Sequence, residues 1–454
     1  MTRRRSRAVG VAALLTLGPG AVQVVAQAGE PLTLDEAVRI ALRTNVRIDR
    51  DEAAVLAAAA DYRAGWGAFL PTASLNGGLG HSAFTTNSFA NPDGTVTEVP
   101  LPVQSQSNAS TQGLSLAFDV FDGGGRFADL RSRRAGESAA LYRLSSTERT
   151  LSRDVKLAYY EALKQDHLVN VAGRQLEGRR RDLEVARRRY EIAAVNRTDV
   201  LGAEIEVLNA ELALVQAQTE RESAGRALQI QMGREPEPGE LPSLADVPRA
   251  PSADRLDPPS LVAVALGTKP EISALEADVE AADAGVWRAR STYLPSVRVN
   301  YGYGRSESQG PRGDFFVLDP SNTSHSFSLT ATWNLFDGFD REAQNAQARA
   351  SARQRRADLT LRRLSLEQEV RDQIAELAAR SRRLDIRERN LSVAQQRLDM
   401  MQERYRLGTV EYVDLLSAIS QLTTAEQSVI QERYEYLKAW ANLEEQVGSA
   451  AEAP

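Results

Sequence analysis

The residues best suited to chemistry are scattered along this 454-residue chain, and they form no recognisable catalytic or metal-binding set. Cysteine is absent, which excludes disulfides, thiolate metal sites, cysteine nucleophiles and a lipid-modified N-terminal cysteine. The histidines His81, His167 and His325 lie far apart in sequence and form no ligand pair. The sequence therefore predicts no cofactor, no metal site and no catalytic site.

A glycine-rich run, Gly123-Gly124-Gly125-Arg126, resembles a phosphate-binding loop only superficially. It lacks the GxxxxGK[ST] and GxGxxG spacings that place backbone amides around a phosphate. It instead continues a Phe-Asp-Gly motif at 121–123, which recurs at 336–338. An aspartate there can accept hydrogen bonds from the first free amides of a helix, and glycine allows the backbone to change direction. We interpret Asp122, Gly123, Asp337 and Gly338 as strand-to-helix junctions.

The charge and the N-terminus restrict the class of protein. A net charge of -6 and a pI near 5.5 argue against a nucleic-acid-binding protein. Four arginines before position 8, an apolar run at 9–17 and Ala26-Gln27-Ala28 predict a secretory signal peptide at 1–28. No later stretch approaches 18 uninterrupted apolar residues, so a membrane-embedded mature chain has to cross the bilayer as strands.

Proline placement predicts long helices. No proline lies between Pro102 and Pro236 or between Pro320 and Pro454, and both intervals are rich in Ala, Leu, Glu, Arg and Gln. We predict long helix pairs over 124–231 and 339–447, and single Ala-rich helices over 35–68 and about 260–292.

The two halves of the chain are related in sequence. Residues 37–80, shifted by 224, match 261–304 at 16 of 44 positions, and a shift of 215 aligns the two Phe-Asp-Gly motifs. Each half is predicted to run helix, strand, loop, strand, long helix, turn, long helix. The predicted units are a first repeat at 29–233, a proline-rich connector at 234–259, a second repeat at 260–448 and a tail at 449–454.

Four segments alternate apolar and polar residues with the period of a strand, near 72–81, 111–120, 296–304 and 325–335. A soluble sheet would alternate in the same way. About ten residues suffice to cross a bilayer at the usual tilt. The long polar loops expected at 82–110 and 305–324 favour the membrane interpretation.

A membrane-spanning sheet has to close on itself, because unpaired amides are costly in lipid. Four strands cannot close, since the smallest outer-membrane barrels have eight. Two copies would give eight strands and three copies twelve, and this arithmetic does not choose between them. Helices of some 65 residues would be about 100 Å long and would continue the barrel as a tube. The predicted fold class is an α+β membrane protein with four strands per protomer.

The motifs together resemble the TolC family of outer-membrane efflux proteins. They are LTLDEAVRIAL at 32–42, Leu70-Pro71, Leu294-Pro295, the paired Phe-Asp-Gly junctions and RYRLGTVEYVDLL at 404–416. The resemblance covers nearly the whole mature chain. It implies a homotrimer in the outer membrane of a Gram-negative bacterium, with a twelve-stranded barrel and a long periplasmic α-helical barrel. It also implies an exit duct for tripartite efflux or type I secretion, with a periplasmic adaptor and an inner-membrane transporter as partners.

The resemblance also assigns roles at the helix tips. Two segments match the adaptor-facing tips: Ile192-Ala193-Ala194-Val195 and Leu407-Gly408-Thr409-Val410. The first has alanine where the family usually has glycine, so the resemblance does not fix its turn geometry or its fit to the adaptor.

A periplasmic gate is implied as well. Asp414 matches an acidic position of the periplasmic constriction, and Ser417 stands where a second acidic residue is usual. Tyr405 and Asp199 match a tyrosine–carboxylate pair that joins the inner and outer coiled coils. Val410 replaces the arginine that reinforces this pair, which predicts a weaker lock. Helix capping is an equally open role for Asp199 and Asp414.

Two other functions compete with an export duct. A secreted periplasmic coiled-coil scaffold or adaptor would fold the alternating segments as a soluble β domain and would fractionate without detergent. A hydrolase or metalloenzyme has no supporting motif in the sequence.

Overall fold

The computed structural model describes residues 31–90, 92–192, 196–236, 243–248, 256–309, 321–407 and 409–448. The predicted signal peptide at 1–28, the tail at 449–454 and half of the connector at 234–259 lie outside them. The described helices and strands, in chain order, are α1 (Leu34–Thr44), α2 (Val46–Gly67), β1 (Thr72–Ala90), β2 (Val96–Phe121), α3 (Gly125–Glu191), α4 (Arg197–Gln231), α5 (Pro258–Thr268), α6 (Pro270–Ser291), β3 (Ser296–Gln309), β4 (Asn322–Thr332), α7 (Asp340–Arg406) and α8 (Tyr412–Val447).

The prediction of single helices over 35–68 and 260–292 was wrong, because each is interrupted after one short helix. Asn45 is extended between α1 and α2, where its Oδ1 accepts a 2.9 Å hydrogen bond from the Arg47 amide. Its Nδ2 donates to the Gln231 carbonyl at 2.8 Å, which ties the break to the end of α4. Lys269 is extended between α5 and α6, since the following Pro270 disfavours helical geometry at the preceding residue.

The four strands form one antiparallel sheet in the order β1-β2-β3-β4. Leu114 of β2 lies opposite Leu75 of β1 on one side and opposite Tyr303 of β3 on the other. Strands occupy all four predicted segments, with different limits. Within the described chain, the outer edges of β1 and β4 have no strand partner.

The prediction of a loop over 82–110 was wrong. The β1–β2 ladder continues well past the predicted strand ends, to Ala90 and from Val96. Polar side chains bond across this extension, including His81 Nδ1 to Asn108 Oδ1 at 2.8 Å and Ser82 Oγ to Ser107 Oγ at 2.9 Å. A polar composition therefore does not end a hairpin whose side chains pair across the strands. In the same way β3 continues to Gln309, whereas β4 ends at Thr332, before the predicted limit of 335.

Two helices of 67 residues, α3 and α7, extend from the sheet, each about 100 Å long at 1.5 Å per residue. The shorter α4 and α8 run back along them. A large apolar core joins α1, α3, α4 and α8, and a second joins α5, α7 and α8. No described helix is both long enough and apolar enough to cross a membrane.

A cluster of charged side chains joins α3 to α8 in the helical part of the protein. Glu161 of α3 accepts hydrogen bonds from Lys164, from Gln165 and from Lys438 of α8. Burial alone would raise the pKa of Glu161, but these three hydrogen bonds outweigh it and lower the pKa to about 2. The ionised form of Glu161 therefore stabilises the fold.

Replacing this carboxylate tests that contribution. Because the pKa is lower in the folded state, the stabilisation is complete above the ordinary pKa of 4.5 and is lost as the pH falls towards 2. Glu161→Gln should lower the free energy of unfolding by about 1–3 kcal/mol at pH 7, with a smaller difference below pH 4. Denaturant titrations at several pH values measure this. Glu211→Gln is the control, since its exposed pair with Arg180 should contribute little.

Candidate functional site

The first strand-to-helix junction is organised by Asp122. Its two carboxylate oxygens accept from the amides of Gly124 at 3.1 Å and Arg126 at 2.6 Å, which satisfies the first free amides of α3. The guanidinium of Arg126 turns back and donates to the carbonyls of Asp119 and Val120, both at 2.7 Å. The end of β2 and the start of α3 are thereby fixed to each other.

Gly123 fits a space that no other residue can enter. Its φ is +70°, and a Cβ added there would lie 2.3 Å from the Ser291 carbonyl oxygen at the end of α6. Gly124 also has a positive φ, of +83°, but a Cβ there would meet nothing within 4 Å. Its repeat counterpart, Phe339, has a φ of +71° and carries a side chain. Glycine is therefore required at position 123 because the Ser291 carbonyl lies too close for a side chain, and not because of the positive φ alone.

The second junction repeats this arrangement. Asp337 Oδ2 accepts from the Arg341 amide at 3.2 Å and from Arg341 Nε at 2.7 Å, and Gly338 has a φ of +70°. The Arg341 guanidinium lies over the Tyr293 ring, 5.2 Å from its centroid. One difference stands out: a Cβ on Gly338 would meet nothing within 4 Å in the described protomer.

The tips of the helical hairpins are exposed at their ends. Ile192 and Leu407, the last described residues before each turn, are 75% and 65% exposed. The Thr409 amide donates to the Arg404 carbonyl at 3.0 Å, which satisfies one of the last free carbonyls of α7. Val410, after it, is half-buried. The remaining predicted tip residues lie outside the described residues: Ala193, Ala194, Val195 and Gly408.

Asp414 lies exposed in the first turn of α8. Its amide donates to the Glu411 carbonyl, but no hydrogen bond or ion pair of its carboxylate is seen within the described residues. Ser417, one turn later, is exposed and accepts a long hydrogen bond of 3.5 Å from Gln421. The Asp414 carboxylate is thus available to solvent or to a neighbour.

The predicted pair of Tyr405 and Asp199 is not joined here. Asp199 Oδ2 instead accepts from the Asn196 amide at 3.2 Å, which is a capping contact at the start of α4. Tyr405 lies under the Arg189 guanidinium, which is 4.5 Å from its ring centroid, and beside Tyr412, at 5.9 Å between rings. Of the two roles left open for Asp199, the contacts support helix capping.

Tyr412 is a residue that sequence reasoning missed. It packs against the apolar cluster between α3 and α4 and also against the cluster between α7 and α8. Under the shift of 215, its counterpart in the first repeat is Arg197. This difference between the two repeats is the one sequence feature that could have drawn attention to Tyr412. We name the contact of Arg189, Tyr405 and Tyr412 the inter-hairpin latch, because it connects the two helical hairpins near their tips.

Charged groups surround the buried side of the inter-hairpin latch. Burial raises the pKa of the Tyr412 hydroxyl to about 12, and this hydroxyl has no hydrogen-bond partner within the described residues. Arg179 of α3 lies 3.9 Å from Asp182 and 3.7 Å from Glu206 of α4. Desolvation by burial raises the pKa of Asp182, despite that neighbouring arginine. The tip region therefore contains an aromatic contact, and beside it lies a buried carboxylate, Asp182, whose pKa stays raised although Arg179 is close.

A groove between α3, α7 and α8 is lined by charged residues of both signs. Glu161, Glu376 and Glu435 on its wall pair with Arg380 or Lys438. Across the described part of the chain, no group of three or more His, Asp and Glu side chains is placed to hold a metal ion.

Comparisons with known proteins give this architecture its context. The family model described as outer membrane efflux protein matches residues 37–234 and 261–449. Protein CyaE of Bordetella pertussis is 29% identical over 339 residues, which cover 74% of this chain and 67% of CyaE. The alkaline protease secretion protein AprF of Pseudomonas aeruginosa is 24% identical over 346 residues, covering 75% of this chain and 70% of AprF.

Solved structures share the fold. The outer membrane protein VceC of Vibrio cholerae superposes with a TM-score of 0.73 at 20% identity, covering 91% of this chain and 96% of VceC. Members of the matched family are transport channels rather than enzymes. The family match spans most of the chain in two segments, one in each predicted repeat. The chain belongs to the outer membrane efflux protein family, and it is an exit channel in the outer membrane of a Gram-negative cell.

Proposed function

We propose that three copies of this chain assemble into a homotrimer whose sheets close one twelve-stranded barrel. The observation that carries the proposal is the open four-stranded sheet, which leaves one edge of β1 and one of β4 without a strand partner within the described chain. Exposed apolar side chains lie on these edge strands, among them Leu75, Leu79, Phe327 and Leu329. Lipid disfavours unpaired amides, and apolar side chains suit the outer surface of a barrel. The resemblance to the TolC family supports three copies rather than two.

The duct proposed here is passive and serves type I secretion. A relative supports type I secretion as the role, since AprF is named for the secretion of an alkaline protease. The 67-residue helices would line a periplasmic tube that reaches a periplasmic adaptor at the hairpin tips. Exposed Ile192, Leu407 and Thr409 would form part of that contact. An inner-membrane transporter would supply the energy.

Two measurements test the assembly and the role. Native mass spectrometry of detergent-extracted protein should give a trimer, whereas a stable monomer would overturn the closed barrel. Affinity purification from membranes after mild cross-linking should recover an inner-membrane transporter and its adaptor. Recovery of the chain in the soluble periplasm without detergent would instead support the scaffold alternative.

The proposed gate lies at the periplasmic end of the tube. Three Asp414 carboxylates would form a ring that attracts cations and narrows the opening. Ser417 provides no second ring. The Tyr405–Asp199 pair would at most add a weak lock in a closed state, because Asp199 bonds to Asn196 and Val410 has no charge to reinforce the pair.

Removing the ring charge should change conduction. Asp414→Asn should weaken block by divalent cations about two-fold or more, and should thereby raise the single-channel conductance measured in their presence, because the charge that binds the blocking ion is lost. Planar-bilayer recordings at low salt, with and without magnesium ions, measure both quantities.

Glu403→Gln is the matched control for this experiment. It removes the same charge from the same hairpin, but its carboxylate already pairs with Arg406 at 2.7 Å. Equal conductance and equal block for Asp414→Asn and the unmodified channel would leave Asp414 without a gating role.

A further inference from the structure

The two faces of the four-stranded sheet carry different kinds of residue. Residues paired across neighbouring strands share a face, and successive residues along a strand alternate between faces. One face carries exposed apolar side chains, among them Leu75, Phe327 and Leu329. In the barrel proposed above, this apolar face contacts lipid. The opposite face, which includes Ser74 and Ser326, then lines the channel, and we name it the lumen face.

The lumen face carries only small uncharged residues where all four strands pair. Four rows of residues run across the sheet there, and they start at Thr72, Ser74, Asn76 and Gly78 of β1. Each row has one residue from each strand, and all sixteen residues are Gly, Ala, Ser, Thr or Asn. In these rows the wall therefore presents no charged, aromatic or long side chain.

Polar side chains on the lumen face lie over neighbouring glycines. A Cβ added to Gly302 would lie 2.7 Å from Ser326 Oγ on the next strand. A Cβ added to Gly113 would lie 2.8 Å from Asn76 Oδ1. The space left by each glycine is thus occupied by a polar group from the adjacent strand. Such a wall is even and neutral, and it offers few fixed contacts to a polypeptide that moves along it.

One ion pair lies on the lumen face, in the row beyond Thr72 and towards the helices. Arg298 Nε of β3 donates to Asp119 Oδ1 of β2 at 2.6 Å, and Arg298 Nη2 donates to Asp119 Oδ2 at 3.1 Å. The two side chains are 58% and 44% exposed, so the pair is accessible from the channel. Their repeat counterparts are uncharged, namely Asn334 under the shift of 215 and Ser74 under the shift of 224. The bidentate contact neutralises the one carboxylate in this part of the wall.

We propose that Arg298 determines the charge selectivity of the barrel section, because it neutralises Asp119 on the lumen face. This rests on the barrel proposed above and concerns the cargo that its wall admits. With the pair intact, the wall has no net charge in this section and passes polypeptide segments of either sign. Without Arg298, three Asp119 carboxylates would form a ring at the base of the barrel and favour cations. Charge selection in the intact channel is then confined to the Asp414 carboxylates at the other end of the tube.

Cysteine reactivity tests the charge of the wall locally, and the chain has no native cysteine to interfere. Thr330 lies opposite Arg298 on the lumen face, so Thr330→Cys places a thiol beside the ion pair. Its rates of reaction with a cationic and an anionic methanethiosulfonate are measured in isolated outer membranes at low salt. Arg298→Gln should raise the ratio of the cationic to the anionic rate about five-fold or more, because a unit charge a few ångströms away acts on the two reagents in opposite directions.

Opposite shifts distinguish neutralisation from a merely structural role of the pair. Asp119→Asn should lower the ratio of rates by a similar factor, and Asp119→Asn combined with Arg298→Gln should restore the ratio of the intact pair. If the pair only held β2 to β3, the two single variants would leave the ratio unchanged or move it in the same direction, and either result would overturn the proposal. Arg305→Gln is the matched control. It removes the same charge from the opposite face of β3 and should leave the ratio unchanged.

A second cysteine separates the role of Arg298 from the barrel itself. Leu329 lies on the apolar face, where lipid disfavours the reactive thiolate, so Leu329→Cys should react about ten-fold more slowly than Thr330→Cys. Equal rates would overturn the assignment of the two faces, and with it the proposed barrel. Slow reaction of Leu329→Cys, together with a ratio at Thr330→Cys that Arg298→Gln does not change, would overturn the role of Arg298 while the barrel stands.

Discussion

Gly123→Ala should lower the free energy of unfolding by about 3 kcal/mol or more, combining left-handed backbone strain with a steric clash. The added methyl group would lie 2.3 Å from the Ser291 carbonyl oxygen, and its nearest side-chain atom, Leu294 Cβ, would be 3.0 Å away. Neither is the end of a flexible chain, so β2, α3 or the end of α6 has to move. Denaturant midpoints and the yield of folded protein in the outer membrane measure the effect.

The matched control is Gly124→Ala. That position has a similar positive φ, but a Cβ there is in open space, so only backbone strain of about 1–2 kcal/mol is expected. Phe339 shows that the equivalent position of the second repeat accepts a side chain. Equal destabilisation by the two substitutions would show that the Ser291 carbonyl can move aside at little cost, and that close packing does not explain Gly123.

Much of the architecture could be predicted because it depends on local and periodic signals. The absence of proline predicted α3 and α7, alternation located the strands, and the repeat located both junctions. The break at Asn45 was not predictable from propensity, because it depends on a hydrogen bond to Gln231, 186 residues away. The extension of the β1–β2 hairpin was missed because Ser and Asn indicate loops by composition, yet here they pair across strands.

The side-chain contacts of the proposed gate were less predictable than the fold. Asp414 was found by its place in a motif, but its neighbours depend on how two hairpins pack side by side. Tyr405 was expected to bond to Asp199, and it contacts Arg189 and Tyr412 instead. Such contacts join residues of separate helices through side-chain geometry, which no spacing in the sequence encodes.

The inter-hairpin latch should hold the proposed gate closed, so breaking it should open the channel. Arg189→Ala removes a cation–π contact worth about 0.5–1 kcal/mol. If three hairpins open together, the losses add to roughly 1.5–3 kcal/mol, and a tenfold change requires 1.4 kcal/mol. The ratio of open to closed channels should therefore rise on the order of 10- to 100-fold. Single-channel open probability in planar bilayers measures this ratio.

Further variants near the same hairpin tips distinguish loss of the inter-hairpin latch from a general effect of removing a positive charge. Arg188→Ala removes the same charge one residue away, but Arg188 is exposed and pairs only within its own helix, with Glu184. Tyr412→Phe keeps the ring between the two apolar clusters and removes a hydroxyl that has no partner among the described residues, so it should leave the channel closed. Tyr412→Ala should open it. Equal open probabilities for Arg188→Ala and Arg189→Ala would show that the contact with Tyr405 carries no gating energy.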